Sequence, residues 1–131
     1  MGTNQEIVKT FIAAADLSGK EGFLVKLNGS KTSRTPQVAL AGAGELAYAI
    51  LKDAGLGSGK IVAGSVFGYV EKLALGGTIA TGGLFKADAS GNAVAVGTLS
   101  TGEYALGRVL TGGVDGDIVD CYFSPDLIAT A

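Results

Sequence analysis

Glycine is spread along the whole chain, 22 of 131 residues, against roughly 7% in ordinary proteins. Because it is not gathered into one low-complexity tract, it reads as many turns and therefore many short strands. The stretch Gly76–Val94, GGTIATGGLFKADASGNAV, shows the pattern most densely. Thr78, Ile79 and Ala80 have strand character, Gly82-Gly83 turns the backbone, and Leu84-Phe85 opens a new apolar run. Asp88, Ser90, Gly91 and Asn92 then make a tight polar turn before Ala93-Val94-Ala95-Val96. Glycine takes positive φ without steric cost, and an Asp or Asn side chain can close such a turn by hydrogen bonding to nearby backbone. The stretch predicts a hairpin corner at the centre of a compact all-β domain.

The chain is long enough for one domain with its own core. A net charge of −2 supplies no general field for nucleic acid or an anionic membrane. The single cysteine excludes an intramolecular disulfide, so stability must come from packing or from assembly with other chains. The start, Met1-Gly2-Thr3-Asn4-Gln5-Glu6, carries no basic region followed by an apolar core, and no apolar window reaches membrane-spanning length. The expectation is synthesis and folding in a cytoplasm.

Ile7 to Ile12 has strand composition, and two readings stand side by side. It is an edge strand of the domain, or part of an arm over residues 1–16 that pairs with a neighbouring chain, as an unpaired strand edge invites. The single β domain would then span 17–131. Phe23, Val25 and Leu27 alternate with Lys26 and Asn28, predicting a half-buried strand ended by Asn28-Gly29. The loop that follows holds Lys31 and Arg34, which form a modestly basic region with Lys20 and Lys26. Pro36–Ala41 reads as a short strand. Residues 45–54 keep helical spacing through Leu46, Ile50 and Ala54, and strand spacing through Leu46, Tyr48 and Ile50. The Gly-rich flanks and the all-β surroundings favour strand. Ile61–Leu73 is a long β-rich run in which Gly64 or Gly68 marks a bulge or a close backbone approach. Tyr104–Leu110 and Ile118–Phe123 are further strands, and in the latter Val119, Cys121 and Phe123 share the core side.

Little of this sequence suits catalysis. There is no histidine, so the usual general base, zinc ligand and triad partner are absent. Gly55–Ile61 resembles a phosphate loop only superficially: Ala54 stands where its first glycine belongs, and Ile61 where its hydroxyl residue belongs. Asp115 and Asp117 flank Gly116, a spacing better explained by a turn than by calcium, since the liganding Glu of a helix-loop-helix site is missing. The nine Tyr and Phe residues are scattered, mostly at positions that look like core, and do not form a base-stacking platform. No catalytic residue, cofactor or metal is expected, and the chain reads as a non-enzyme.

Seven segments in order carry a resemblance: Phe11–Ser18, Gly22–Leu27, Leu46–Leu51, Gly76–Leu84, Asp88–Val94, Tyr104–Leu110 and Asp117–Phe123. Together, over residues 10–124, they resemble the small capsid cement, or decoration, proteins of tailed bacteriophages. The resemblance implies a β-barrel or β-sandwich of short antiparallel strands that binds the outside of the assembled head and stabilises junctions between major capsid subunits. It implies two partners, the major capsid protein and further copies of the chain itself, as a trimer ahead of a dimer, and a place on the outer surface of the virion. The segment 29–35 is longer than the family pattern leads one to expect, which leaves the capsid-facing surface open.

Within that reading, the arm residues Thr3, Asn4, Gln5, Glu6, Ile7, Val8 and Lys9 are expected to pair with a capsid strand or a neighbouring subunit. Lys31 and Arg34, with Lys20 and Lys26, are expected to face acidic surface, for which Asp115, Asp117, Asp120 and Asp126 of an adjacent copy are candidates. A phage tail or baseplate β-domain and a carbohydrate-binding adhesive module are the alternatives. The second usually relies on exposed aromatics, often tryptophan, which this chain lacks.

Overall fold

The computed structural model describes residues 7–28, 35–55, 57–97 and 101–125. Nine strands follow one another in these residues: β1 (Ile7–Ala13), β2 (Leu24–Asn28), β3 (Gln37–Leu40), β4 (Ala49–Asp53), β5 (Ile61–Ala74), β6 (Leu84–Ala87), β7 (Ala93–Ala95), β8 (Gly107–Val109) and β9 (Ile118–Phe123). No helix occurs among them. The fold is all-β, as expected.

β5, with 14 residues, is the common wall of two halves. Its first half pairs with β4 on one side and β1 on the other, and the order β1-β3-β2-β4-β5 closes on itself through the β1–β5 pairing. This is a five-stranded barrel. Its lining is Phe11, Ala13, Val25, Val38, Ala49, Leu51 and Val62, all buried. Only β1 and β3 run parallel in it. The second half of β5 pairs instead with β9, and the sheet continues β9-β8-β6-β7. Leu75, just past β5, bridges Ala93 of β7, so the far edge of this sheet returns to the chain leaving β5. A second core of Val70, Leu73, Phe85, Leu106, Val109, Cys121 and Phe123 lies behind it.

β2 and β4 separate the two cores. Val25, Ala49 and Leu51 face the barrel interior, while Leu24 and Ile50 face the second core. Alternate side chains of a strand point to opposite faces, so the stretch of a strand packed on both sides is apolar at successive positions. Burying one Leu or Ile fully contributes ~1.5–3 kcal/mol. The expected half-buried strand at Phe23, Val25 and Leu27 is corrected accordingly: Leu24 and Val25 are both fully buried, and Leu27 is exposed.

Residues 45–54 contain the expected strand, but it begins at Ala49. Tyr48 and Leu46 are exposed, so they do not share a face with buried Ile50. Tyr104–Leu110 is ordered as strand only over Gly107–Val109. The proposed arm, residues 1–16, is corrected over Ile7–Ala13, which is an internal strand hydrogen-bonded along β5 from Val8↔Ser65 to Ile12↔Ile61. The rest of the arm before Ile7 lies outside the described residues.

Both glycines singled out in β5 have a structural cause. Gly68 has φ 106° and stands where the strand leaves its barrel partners and takes up β9. A Cβ on Gly64 would lie 2.9 Å from the Cβ of Ala49 and 3.3 Å from Phe11 Cε2, inside the barrel. The corner at Gly76–Val94 is also a hairpin: Asp88 Oδ1 accepts the N–H groups of Ser90 and Asn92 at 2.8 and 2.9 Å between β6 and β7. Gly64→Val overpacks the barrel and is expected to destabilise the fold by ~1–3 kcal/mol. The check is the denaturant midpoint, and an unchanged midpoint would show that the barrel wall has room to spare.

Candidate interaction surfaces

The polar clusters of the sequence turn out to be structural. Asp117 Oδ2 accepts the N–H of Val114 at 2.9 Å, and the turn is completed by the Asp117 N–H on the Val114 carbonyl. Among the described residues no three His, Cys, Asp or Glu side chains converge as metal ligands would. Cys121 is buried in the second core, and burial, with the Asp120 charge adding to it, pushes its thiol up to about 12. A thiol held so far above the ordinary range is unreactive. β4 and β5, which flank the 55–60 stretch, pair antiparallel as the strands of a hairpin.

Two exposed apolar regions remain. One is at a mouth of the barrel. Tyr48 immediately precedes β4, and Ile7 at the start of β1 pairs with Phe67 of β5. Tyr48 packs edge-on against Phe11 of the barrel lining, with ring centroids 6.0 Å apart. With Leu27, Leu46, Gly102 and Tyr104 it lines an open groove of about 370 Å³. Lys26 Nζ and Glu45 Oε1, 2.9 Å apart, form its rim. Glu45 also accepts the Gly42 N–H at 2.6 Å. These two contacts, Lys26 first, hold its carboxyl below the usual carboxylate range.

The other region is the outer face of the second sheet. Phe67, Tyr69 and Tyr122 form a cluster there, with centroids 5.8 Å apart for Phe67–Tyr122 and 4.9 Å for Tyr69–Tyr122. Leu110 and Ile118 are exposed on the same sheet. Most of the aromatics are therefore not core: only Phe11, Phe85 and Phe123 of the nine are buried. Phe67 and Tyr69 alternate with buried Gly68 and Val70 along β5, and period two alone does not say which of the two sets faces the core.

Of the contact residues anticipated from sequence, Ile7, Val8 and Lys9 are exposed on β1 at the barrel mouth. Thr3, Asn4, Gln5, Glu6, Lys31 and Arg34 lie outside the described residues. Lys26 is engaged with Glu45, and Lys20 sits 5.0 Å from the centre of the Phe23 ring.

No protein-family model matches the chain, and no curated protein matches its sequence. Among solved structures, the crystal structure of the head fiber gp8.5 N base in bacteriophage phi29 is similar, with a TM-score of 0.70 and 14% identity. The match covers 96% of this chain and all (100%) of that one. At this identity the likeness is one of fold.

Two outcomes follow from the electrostatics. Cys121 should resist alkylation at mildly alkaline pH in the folded protein and react at once on denaturation, as mass spectrometry would show; rapid labelling of folded protein would contradict its burial. Asp16 is held low by the Ser18 hydroxyl and then the Ser18 N–H, and Glu45 by Lys26 and Gly42. A lowered folded pKa contributes stability above the ordinary carboxylate range and loses it as pH falls through the folded value. Asp16→Asn with Glu45→Gln should therefore flatten the pH dependence of stability on the acid side, and an unchanged profile would contradict this.

Proposed function

We propose that this chain is a structural, non-enzymatic protein of a tailed-phage head, a cement or decoration protein that binds the outer surface of the assembled shell. The observation that carries the reading is the fold shared with the phi29 head fiber base over the full length of that chain. In this reading the protein is made in the host cytoplasm, forms a homo-oligomer, and stabilises junctions between major capsid subunits.

The barrel mouth is the surface we assign to the capsid. It presents Ile7, Val8, Leu27, Leu46 and Tyr48 as exposed apolar groups on rigid strands or beside them, with Lys9 among them. Thr3–Glu6, Lys31 and Arg34 adjoin these strands in sequence and belong to the same proposed contact. Each copy needs only modest affinity per site, because contacts to several capsid chains raise the effective concentration for one another. Deleting residues 2–9 would remove β1 pairing along with any capsid contact, so substitutions at exposed positions give the cleaner test.

Purified protein should co-sediment with undecorated heads at a saturating, fixed ratio to the major capsid protein. Leu27→Asp with Leu46→Asp should weaken that binding by at least ~10-fold, the cost of losing an interface anchor, without loss of folding. Wild-type binding by this variant would remove the mouth from the contact. Attachment to tails instead of heads in negative stain, or binding on a glycan array with none to heads, would overturn the head reading itself.

A further inference from the structure

The outer face of the second sheet carries features that the capsid contact does not use. Tyr69 pairs with Tyr122 across β5 and β9, and Tyr122 pairs with Arg108 across β9 and β8. Beside this row is a shallow concavity of about 160 Å³, floored by Val70 and walled by Tyr69, Leu110, Glu71 and Asp120. Both carboxylates are exposed, and among the described residues neither has an ion-pair partner. Glu71 also borders Lys52 and Lys72 in an adjoining pocket, while Asp120 brings a second carboxylate to the aromatic row. Arg108 is exposed on the same face and among the described residues touches no carboxylate; its Nη1 donates to the Gly82 carbonyl at 2.9 Å.

An aromatic wall beside two acids is a good receptor for a guanidinium group, which stacks on a ring and pairs bidentately with carboxylate. The face supplies both halves of that match, socket and arginine, so it is complementary to itself. Its extent also suffices. Phe67, Tyr69, Leu110 and Ile118 are 40%, 44%, 42% and 54% exposed. With large side chains of ~150–250 Å² each, and with the polar rim, the face amounts to roughly 500 Å² per copy. A pair would bury about 1,000 Å², the size of a weak, reversible interface. Two sheets can associate by packing such faces against each other.

We infer that this face is a contact between two copies of the chain, in which Tyr69, Tyr122 and Leu110 pack at the centre and Arg108 of one copy enters the Glu71–Asp120 concavity of the other. The inference rests on the homo-oligomeric part of the reading above and is independent of which surface meets the capsid.

The test is the mass of the full chain by light scattering over a micromolar concentration series, with folding followed by circular dichroism. The wild type should exceed monomer mass. Glu71→Arg and Arg108→Glu should each weaken association at least ~10-fold, and the double charge swap should restore part of it, because Asp120 stays in the concavity. A wild-type monomer throughout the series, single variants that associate like the wild type, or a double variant no better than the singles would each overturn the contact. Head co-sedimentation on the same samples separates the two claims: self-association without head binding counts against the head reading alone, and head binding by a wild-type monomer counts against this contact alone.

Discussion

The fold depends on one strand serving two cores. β5 gives its first half to the barrel and its second half to the outer sheet, and Gly68, with φ 106°, is the point of exchange. That arrangement forces β2 and β4 between two apolar interiors, where Leu24 and Ile50 look one way and Val25, Ala49 and Leu51 the other. It also demands a residue without a side chain at Gly64, where Phe11 and Ala49 fill the space. A chain with no disulfide reaches a dense interior here through double-sided burial of short strands.

Closure has a consequence for recognition. In the barrel β1 and β5 pair, and in the outer sheet β7 meets the chain beyond β5, so most strand edges are occupied within the chain. A free strand edge is a ready template for another chain, and closing a sheet removes it. What remains for partners is an end of the barrel and the face of a sheet. The exposed apolar side chains gather in these two places: Leu27, Leu46 and Tyr48 at the mouth, Phe67, Tyr69 and Leu110 on the face. The proposed role, holding a repeated shell while meeting further copies of the chain, would use two such surfaces.

Much of the architecture was legible in local chemistry. The Asp88–Asn92 turn, the long β5 with its two special glycines and the buried set Val119, Cys121 and Phe123 all follow from turn propensity and period two. What was not legible required tertiary context. Nothing in Ile7–Ile12 says that its partner is β5, 49 to 60 positions away, so domain strand and intermolecular arm look alike in sequence. Leu24 and Leu46 are equally apolar, yet one faces a second core and the other lines an open groove. The aromatic face was missed for the same reason. Phe67 and Tyr69 read as core until a neighbouring sheet is known to lie on one side of β5 and not on the other.

The central claim is that this domain sits on the outside of a phage head with its barrel mouth against the shell. Cryo-electron microscopy of heads before and after saturation with the purified protein tests it most directly. The account predicts added density on the outer surface over junctions between capsid subunits, fitted by the barrel with Leu27, Leu46 and Tyr48 turned inward and the Tyr69–Tyr122 face turned toward a neighbouring copy. Heads with no added density, or density fitted with the mouth turned to solvent, would contradict it.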